Sequence, residues 1–335
     1  MADVRDLAAD TLSAPSTARI RPGFEGNNIS HALGFKHINY VSEAAVLHHF
    51  REAGLPVGRL YKEFGLGFEI VELTSRLIEL LDLDDEVTAE VVPATKPGAR
   101  ELTFKVAQFV QRDGKAVKSA TSTVKVALRI DDHVPASGPY PEAVRPFAVP
   151  RLGSGARLEL GVTPRPYGSL SEGRGTVGAD PVLDRLIGED NAFGWRWRVP
   201  YFYCHFNERL QMSGFLRVME EVEDLFLAER GLPIKHVLDT RRWIPVVTRS
   251  EIRLLDETLM EEELHTVYTV EDVFKELLYT ARMDTYVIRG GELVHTATGR
   301  ITHGYLHEYE PNRWRMATLD EATVSALSTP KKVNA

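Results

Sequence analysis

Two stretches of the chain carry the hydrophobic pattern of long buried helices. The first, from about Val41 to Ala53, is apolar on nearly every side, as expected of a helix surrounded by protein. The second, from about Ser213 to Arg230, places its apolar residues on one stripe and has Ser213 as a candidate N-cap. Both end at a Gly-Leu-Pro sequence, 54–56 and 231–233, in which the glycine predicts a C-cap and the proline stops the helix.

Each predicted helix is followed by segments with the pattern of β-strands, in which apolar and polar residues alternate or β-branched residues are frequent. Turn sequences separate the last two segments of each set, Arg112-Asp113-Gly114-Lys115 in the first and Gly290-Gly291 in the second. A long buried helix followed by an antiparallel meander predicts a sheet that curls around the helix. The predicted strands are 77–81, 86–92, 102–110 and 116–129 in the first set, and 249–255, 263–270, 277–288 and 292–303 in the second.

The two sets indicate an internal repeat. Three short landmarks recur in the same order: 52–56 as 229–233, 74–82 as 248–256, and 112–121 as 289–298. The sequence offset is 174 for the second pair and 177 for the other two. This spacing predicts duplicated units whose loops differ in length by about three residues.

The repeat predicts an α+β protein of two fused units. A connector rich in proline and glycine separates the two, with one short strand predicted from Ala156 to Val162. A short amphipathic pattern from Leu319 to Leu327 opens the tail. The predicted organisation is an N-terminal extension at 1–25, a first domain at 26–130, a connector at 131–194, a second domain at 195–318 and a tail at 319–335.

Residues near each helix start resemble a known group of proteins. The segment from Arg198-Val199-Pro200-Tyr201 through Glu220-Glu221 resembles the strand, loop and helix of the hydroxybenzoyl-thioester thioesterases. The run His37-Ile38-Asn39-Tyr40 is similar to the His-x-Asn that often opens the helix in that group. The chain therefore resembles the hotdog fold, and its two fused copies resemble the double-hotdog acyl thioesterases. The resemblance implies a double hotdog and acyl thioester substrates carried on coenzyme A or acyl carrier protein.

A narrower resemblance concerns the opening of the first unit. The chain length and the sequence Gly26-Asn27-Asn28-Ile29-Ser30-His31 are similar to those of dual-function bacterial thioesterases. That resemblance implies that glycine is a partner: it is added to an α,β-unsaturated acyl thioester, which is then hydrolysed to a β-amino acid derivative. Many relatives carry an aspartate in the loop before the helix, and neither loop here has one. The equivalent position lies near Asn27 or Asn28 in the first unit and near His205 in the second.

Four residues are predicted to be catalytic. Glu43 and Glu220 occupy equivalent positions on the two helices, where another branch of the family places a glutamate. Burial would raise the pKa of such a carboxyl and suit it to base catalysis, whereas the alternative is a solvated helix residue. His37 and His205 lie near the helix starts and titrate near neutral pH, or else only form structural hydrogen bonds. Backbone N–H groups at the same helix starts would stabilise the oxyanion.

The predicted substrate-binding residues lie near the same helix starts and at one later turn. Asn39 and Asn207 would orient the substrate, because an amide does not titrate. Arg209 or Arg242 would hold the carboxylate of glycine with a planar guanidinium, unless each is only a surface charge. The full predicted set is Asn28, His31, Asn39, Asn207, Arg209, Arg242 and Trp243, the last as a wall of an acyl pocket.

Composition restricts the partners further. The net charge is -8 and no block of Lys and Arg occurs, which argues against nucleic acid. The sequence has no long apolar run and no signal peptide, which predicts no membrane partner and a cytoplasmic location. A single cysteine, Cys204, rules out an intrachain disulfide. The absence of a Gly-rich phosphate loop or a metal-ligand pattern predicts no cofactor.

Several alternatives stay open from the sequence. They are a simple thioesterase for acyl-CoA or acyl carrier protein, a hotdog enoyl hydratase or dehydratase, and a non-catalytic protein that binds acyl thioesters. The usual hydratase loops, Asp/Asn-Pro-x-His and His-Phe-Pro-Gly, are absent, and His205-Phe206-Asn207 is only superficially similar to the second. Acyl chain length, a homodimeric state and which copy is active are not decided by the sequence.

Overall fold

The computed structural model describes residues 12–26, 28–29, 31–166, 180–204, 207–310 and 313–329. The chain divides into two compact units, Met1–Leu152 (unit 1) and Gly153–Ala335 (unit 2). Each unit is described by itself. Among the described residues, no helix is both long enough and apolar enough to cross a membrane.

Unit 1 consists of one long helix and an antiparallel sheet with strand order β1-β3-β4-β5-β2. The long helix α1 packs against all five of these strands, and its Phe50 is fully buried against Phe68 and Phe104. A two-residue strand, β6, pairs in parallel with β5. The elements are β1 Ser16–Ile20, α1 Phe35–Glu52, α2 Val57–Phe64, β2 Leu66–Leu77, β3 Val87–Pro93, β4 Leu102–Arg112, β5 Lys115–Ile130 and β6 Ala148–Val149.

Unit 2 repeats this arrangement with the strand order β8-β10-β11-β12-β9. Short strands β7 and β13 also pair with β12. The long helix α4 packs against β8, β9 and β10, and Glu223 on α4 contacts Tyr279 of β11 and His303 of β12. The elements are β7 Arg157–Glu159, α3 Pro181–Ile187, β8 Ala192–Arg198, α4 Met212–Glu229, α5 Ile234–Arg241, β9 Trp243–Leu254, β10 Glu263–Phe274, β11 Leu278–Arg289, β12 Glu292–Glu310, β13 Arg313–Met316 and α6 Glu321–Ser328.

The two units correspond residue by residue at a constant sequence offset of 177. The bounds of α1, α2 and β2 differ from those of α4, α5 and β9 by this number at both ends. The register shift after Gln108 in β4 recurs after Thr285 in β11, so the β-bulges are shared as well. The landmark pair at an offset of 174 was therefore a chance match, and the predicted difference in loop length was wrong.

The helices begin earlier than the sequence predicted. Helix α1 begins at Phe35, not near Val41, so the 37–40 run that was predicted to lie near the helix start is itself helical. The N-cap of α4 is Gln211, so the prediction of Ser213 was wrong. Helices α2 and α5 were missed, since Pro56 and Pro233 were treated as stops. Each proline is instead the N-cap of the next helix.

The predicted hairpins are confirmed. Asp113 and Gly114 have positive φ angles of 50° and 73°, and Gly290 and Gly291 have 60° and 79°. The strand predicted at 77–81 was wrong, because β2 ends at Leu77. The strand predicted at 156–162 is confined to three residues, and the tail pattern forms α6, whose N-cap Asp320 accepts a hydrogen bond from the Thr323 backbone.

Candidate active site

The loop before α1 is held by local hydrogen bonds that involve two predicted binding residues. His31 Nδ1 lies 2.6 Å from Asp82 Oδ1, with both side chains nearly half exposed. The Asn28 backbone donates to Ala32 O, and its Oδ1 accepts from the Ile29 backbone. These contacts give Asn28 and His31 local structural roles ahead of α1.

The start of α1 is closely packed against this loop. Its N-cap, Gly34, provides no side-chain hydrogen bond. A Cβ on Gly26 would lie 2.6 Å from the ring of His37, so only glycine fits there. His37 is buried and its ring packs edge-on against Tyr40 at 4.8 Å. The positive end of the helix dipole lies at this start, beside the loop.

Asn39 faces the interior of unit 1. It is fully buried, and its Nδ2 donates to Phe35 O at 3.0 Å within the same helix. The side chain is thus part of the first turns of α1 and does not belong to the preceding loop. This contact gives Asn39 a structural role in the helix.

Glu43 is the predicted catalytic residue with the most unusual surroundings. It is half-buried on α1, and no described residue forms a hydrogen bond or ion pair with its carboxyl. Burial raises the pKa of the Glu43 carboxyl to about 7, since desolvation disfavours the charged form. A carboxyl that titrates near neutral pH can accept and return a proton during a reaction.

The exposure pattern of α1 shows where Glu43 points. The half-buried residues of α1 include Lys36, Tyr40, Glu43, Ala44, Leu47 and His48, whereas Ile38, Val41 and Ala45 are buried. These half-buried positions recur every three or four residues and therefore form one stripe of the helix. The Glu43 side chain lies on the face of α1 turned away from the sheet of unit 1.

A buried hydrogen-bond network, which the sequence analysis missed, joins α1 to the sheet next to Glu43. Gln108 Nε2 on β4 donates to Ile38 O at 2.9 Å and to Ser42 Oγ at 2.8 Å. The Ser42 hydroxyl donates to Ser122 Oγ of β5 at 2.8 Å. Three polar residues thus fix the rotation of α1 about its axis, and with it the direction of the neighbouring Glu43 side chain.

The loop before α4 in unit 2 is arranged differently. Arg209 Nε lies 3.3 Å from Glu257 Oε1, and both side chains are buried. Asn207 Oδ1 accepts a hydrogen bond from the Arg209 backbone at 2.7 Å. An internal carboxylate therefore holds the guanidinium that was predicted to bind glycine. His205 lies outside the described residues.

The exposed face of α4 is acidic. Glu220 is half-buried and lies next to Glu221, one turn before Asp224. Burial, followed by the charges of Glu223 and Glu220, raises the pKa of Asp224 to about 6. Glu220, the counterpart of Glu43, is thus one member of a cluster of like charges.

Arg242 and Trp243 lie where α5 ends and β9 begins. Arg242 is exposed and has a left-handed φ of 56° at the end of α5. The Trp243 ring packs against Tyr305 at 5.5 Å, and Trp243 pairs with His307 in the sheet. Arg242 directly precedes the 12-residue strand β9, whereas Arg209 forms a β-bridge with Leu259, beyond the other end of that strand. The structure does not bring them together.

A second polar cluster in unit 2 was also missed. Glu223 Oε1 accepts a hydrogen bond from the Tyr279 hydroxyl at 2.7 Å and lies 3.0 Å from His303 Nε2. All three side chains are buried, and Tyr268 and Tyr305 lie beside them. Aligning the two copies at their constant offset would have revealed this cluster, since the corresponding residues of unit 1 are all apolar.

No protein-family model and no curated protein matches the sequence. Three solved structures are similar over most of the chain. A Lactobacillus plantarum protein assigned as an oleoyl thioesterase has a TM-score of 0.55 and 13% identity, covering 94% of this chain and 100% of its own. The 12:0-ACP thioesterase of Umbellularia californica has a TM-score of 0.53 and 9% identity, and the match covers 90% of this chain and 94% of its own. An acyl-ACP thioesterase of Bacteroides thetaiotaomicron has a TM-score of 0.50 and 13% identity, and the match covers 88% of this chain and 99% of its own.

The fold is a double hotdog. This confirms the fold class predicted from the sequence. The two hotdog units carry different polar groups on their helices: Glu43 has no partner among the described residues, whereas Glu223 is held by Tyr279 and His303. At such low sequence identity the likeness establishes the fold, and the activity has to be argued from the site.

Proposed function

We propose that the protein hydrolyses acyl thioesters and that Glu43 is the general base. The observation that carries the proposal is the half-buried Glu43 carboxyl, which has no partner among the described residues and a pKa raised to about 7. Such a carboxyl costs stability, and a pKa near the working pH is what base catalysis needs. Thioesterase activity in the three similar structures supports the same reaction class.

In the proposed reaction, the Glu43 carboxylate accepts a proton from water while the water oxygen attacks the thioester carbonyl carbon. Backbone N–H groups at the start of α1 would stabilise the resulting oxyanion. When the carbonyl re-forms, the C–S bond breaks, and the thiolate takes the proton from Glu43. The products are a free acid and a thiol, and Glu43 is again ionised.

The spacing along α1 suits this division of roles. Glu43 is eight residues beyond Phe35, which corresponds to about 12 Å along the helix axis. Side chains on a helix tilt toward its N-terminus, so the carboxyl extends back toward the first turn. The thioester and its attacking water would lie between the two groups.

Glycine addition stays a prediction within this proposal. It requires a cation for the glycine carboxylate, and Arg209 is already paired with Glu257. Arg242 is exposed at the end of α5. Neither arginine favours glycine binding, so hydrolysis alone is the simpler proposal. The cytoplasmic location is likewise a prediction from the sequence, and a homodimer is an open possibility.

Thiol release from a panel of thioesters tests the proposal. Saturated acyl chains and crotonyl, each carried on coenzyme A and on acyl carrier protein, would be incubated with the protein, and the acyl products identified by mass spectrometry. Hydrolysis predicts equal amounts of thiol and free acid. A hydratase would give a hydroxyacyl thioester without free thiol, and a binding protein would give neither. Adding glycine to the crotonyl reactions tests for the glycine adduct.

A further inference from the structure

One edge of unit 1 carries exposed side chains that the proposed hydrolysis does not use. Phe24 is 80% exposed, and the side chains of Arg19 and Arg21 are 77% and 75% exposed. Arg19 lies on β1, the outer strand of the five-stranded order, and Arg21 follows directly after it. We call these three residues the arginine-phenylalanine edge.

Arg19 and Arg21 share one acidic partner. Arg19 Nη1 lies 3.9 Å from Glu86 Oε1, and Arg21 Nη2 lies 3.3 Å from Glu86 Oε2. Two guanidinium groups thus share one carboxylate. Arg19, Arg21 and Glu86 together have a net charge of +1. Ion pairs this exposed contribute little to stability, so either guanidinium can turn to an incoming anion at small cost.

The equivalent arginine of unit 2 is used in a different way. Arg196, the counterpart of Arg19, is 6% exposed and lies 3.2 Å from Asp180 and 3.3 Å from Glu263. Asp180 also caps α3, so this arginine ties α3 to the sheet. At the same place in the fold, unit 2 neutralises Arg196 with two acids, whereas unit 1 leaves Arg19 in solvent. Arg198, the counterpart of Arg21, is half-buried.

The position of Phe24 connects the edge to the proposed site. Phe24 opens the short turn Phe24–Gly26, and Gly26 O accepts a hydrogen bond at 3.0 Å from the backbone of Gly34, the N-cap of α1. A ligand seated on Phe24 would therefore lie near the start of the helix that carries Glu43. An exposed aromatic ring can stack on a flat base, and guanidinium groups bind phosphates in bidentate fashion.

We propose that the arginine-phenylalanine edge binds the adenosine 3′,5′-bisphosphate end of coenzyme A. The adenine stacks on Phe24, and Arg19 and Arg21 bind the phosphates. This inference rests on the proposed function, because it takes the substrate to be an acyl-CoA whose pantetheine arm extends from Phe24 toward the start of α1. It selects coenzyme A over acyl carrier protein, which has no adenine.

Calorimetric binding of adenosine 3′,5′-bisphosphate tests the proposal without requiring turnover. The wild type is compared with F24A and with the double variant R19Q/R21Q. The matched control is Y201A, since Tyr201 is the counterpart of Phe24 in unit 2 and is 72% exposed. We expect F24A to weaken binding about tenfold. R19Q/R21Q should weaken it further and reduce its salt dependence, and Y201A should bind like the wild type.

Kinetics provide the second readout. F24A should raise KM about tenfold for an acyl-CoA and leave the kinetics of the corresponding N-acetylcysteamine thioester unchanged, because that substrate lacks the nucleotide. The inference is overturned if the bisphosphate does not bind, if F24A and R19Q/R21Q bind it as the wild type does, or if Y201A loses as much as F24A. Binding without hydrolysis of either thioester would reject the proposed function and retain the nucleotide site.

Discussion

The two hotdog units share one frame of strands and helices but differ in the side chains that this frame buries. Their strands, bulges and helix ends correspond at one constant sequence offset. The interior of unit 1 beside α1 is apolar at five positions where unit 2 is polar. Val46, Val91, Leu102, Val126 and Leu128 correspond to Glu223, Tyr268, Tyr279, His303 and Tyr305.

The difference shows that this frame tolerates buried polar groups when these groups pair with one another. Glu223 is buried, but Tyr279 and His303 satisfy its carboxyl. Glu43 in unit 1 has no such partner among the described residues, and desolvation raises its pKa. We therefore assign the paired carboxyl to structure and the unpaired one to the reaction. The following predictions test that assignment, beginning with the largest expected effect.

Replacing the unpaired carboxyl should remove most of the activity. The E43Q variant keeps the shape of the side chain but cannot accept a proton, so kcat should fall about a hundredfold or more. Its counterpart E220Q in unit 2 is the matched control and should stay within about threefold of the wild type. Thiol release measures both variants. Equal losses of kcat in E43Q and E220Q would show that the two glutamates do not differ in their role in the reaction.

Removing the paired carboxyl should affect stability. E223V leaves the Tyr279 hydroxyl and His303 buried without their acceptor and should cost about 3–5 kcal/mol of unfolding free energy. E223V/H303V installs the residues of unit 1 at both positions and should cost less than the sum of the single changes, because the partners act together. Denaturant unfolding of the wild type, E223V, H303V and E223V/H303V measures the coupling between the two residues. Strictly additive costs would argue against that coupling.

Equivalent arginines should differ in the same direction. R196Q breaks a buried pair with Asp180 and Glu263 and should cost about 3 kcal/mol. R19Q changes an exposed pair and should stay within about 0.5 kcal/mol of the wild type. Denaturant midpoints provide both values. A cost for R19Q as large as that for R196Q would mean that the arginine-phenylalanine edge is structural.

The smallest effect is a gain in stability from E43Q. The folded pKa of Glu43, about 7, lies above its unfolded value of 4.5. The folded state therefore binds more protons between these values, and its stability falls as the pH rises through them. After allowance for its half-buried position, E43Q should be about 1 kcal/mol more stable than the wild type at pH 8. The gain should disappear by pH 4, and a constant gain at both pH values would contradict the assignment.

The sequence revealed the frame because glycines with positive φ recur at fixed places. Gly54 and Gly231 end the long helices, and Gly114 and Gly291 lie in the hairpins. A positive φ favours glycine whatever the neighbouring residues are, so these glycines stand out in the sequence as landmarks. The second helix of each unit was missed because Pro56 and Pro233 fit a helix stop as well as a helix start.

The site was less predictable than the frame. Glu43 was identified by its position on the helix, but only the structure shows that no described residue binds its carboxyl. Arg209 fitted a carboxylate ligand as a residue type, yet its partner Glu257 lies beyond α4, α5 and β9 in the sequence. The network of Gln108 and Ser42 joins a strand to a helix 66 residues away. Such contacts depend on packing between distant segments, which local patterns do not record.

The dependence of kcat/KM on pH tests the role of Glu43 most directly. Wild-type protein, E220Q and E43Q would be assayed with one acyl thioester from pH 5 to pH 9. If Glu43 is the base, kcat/KM of the wild type and of E220Q rises with pH and levels off above a midpoint near 7, and this rise is lost in E43Q. An E43Q variant that keeps the wild-type rate and the same midpoint would contradict the account.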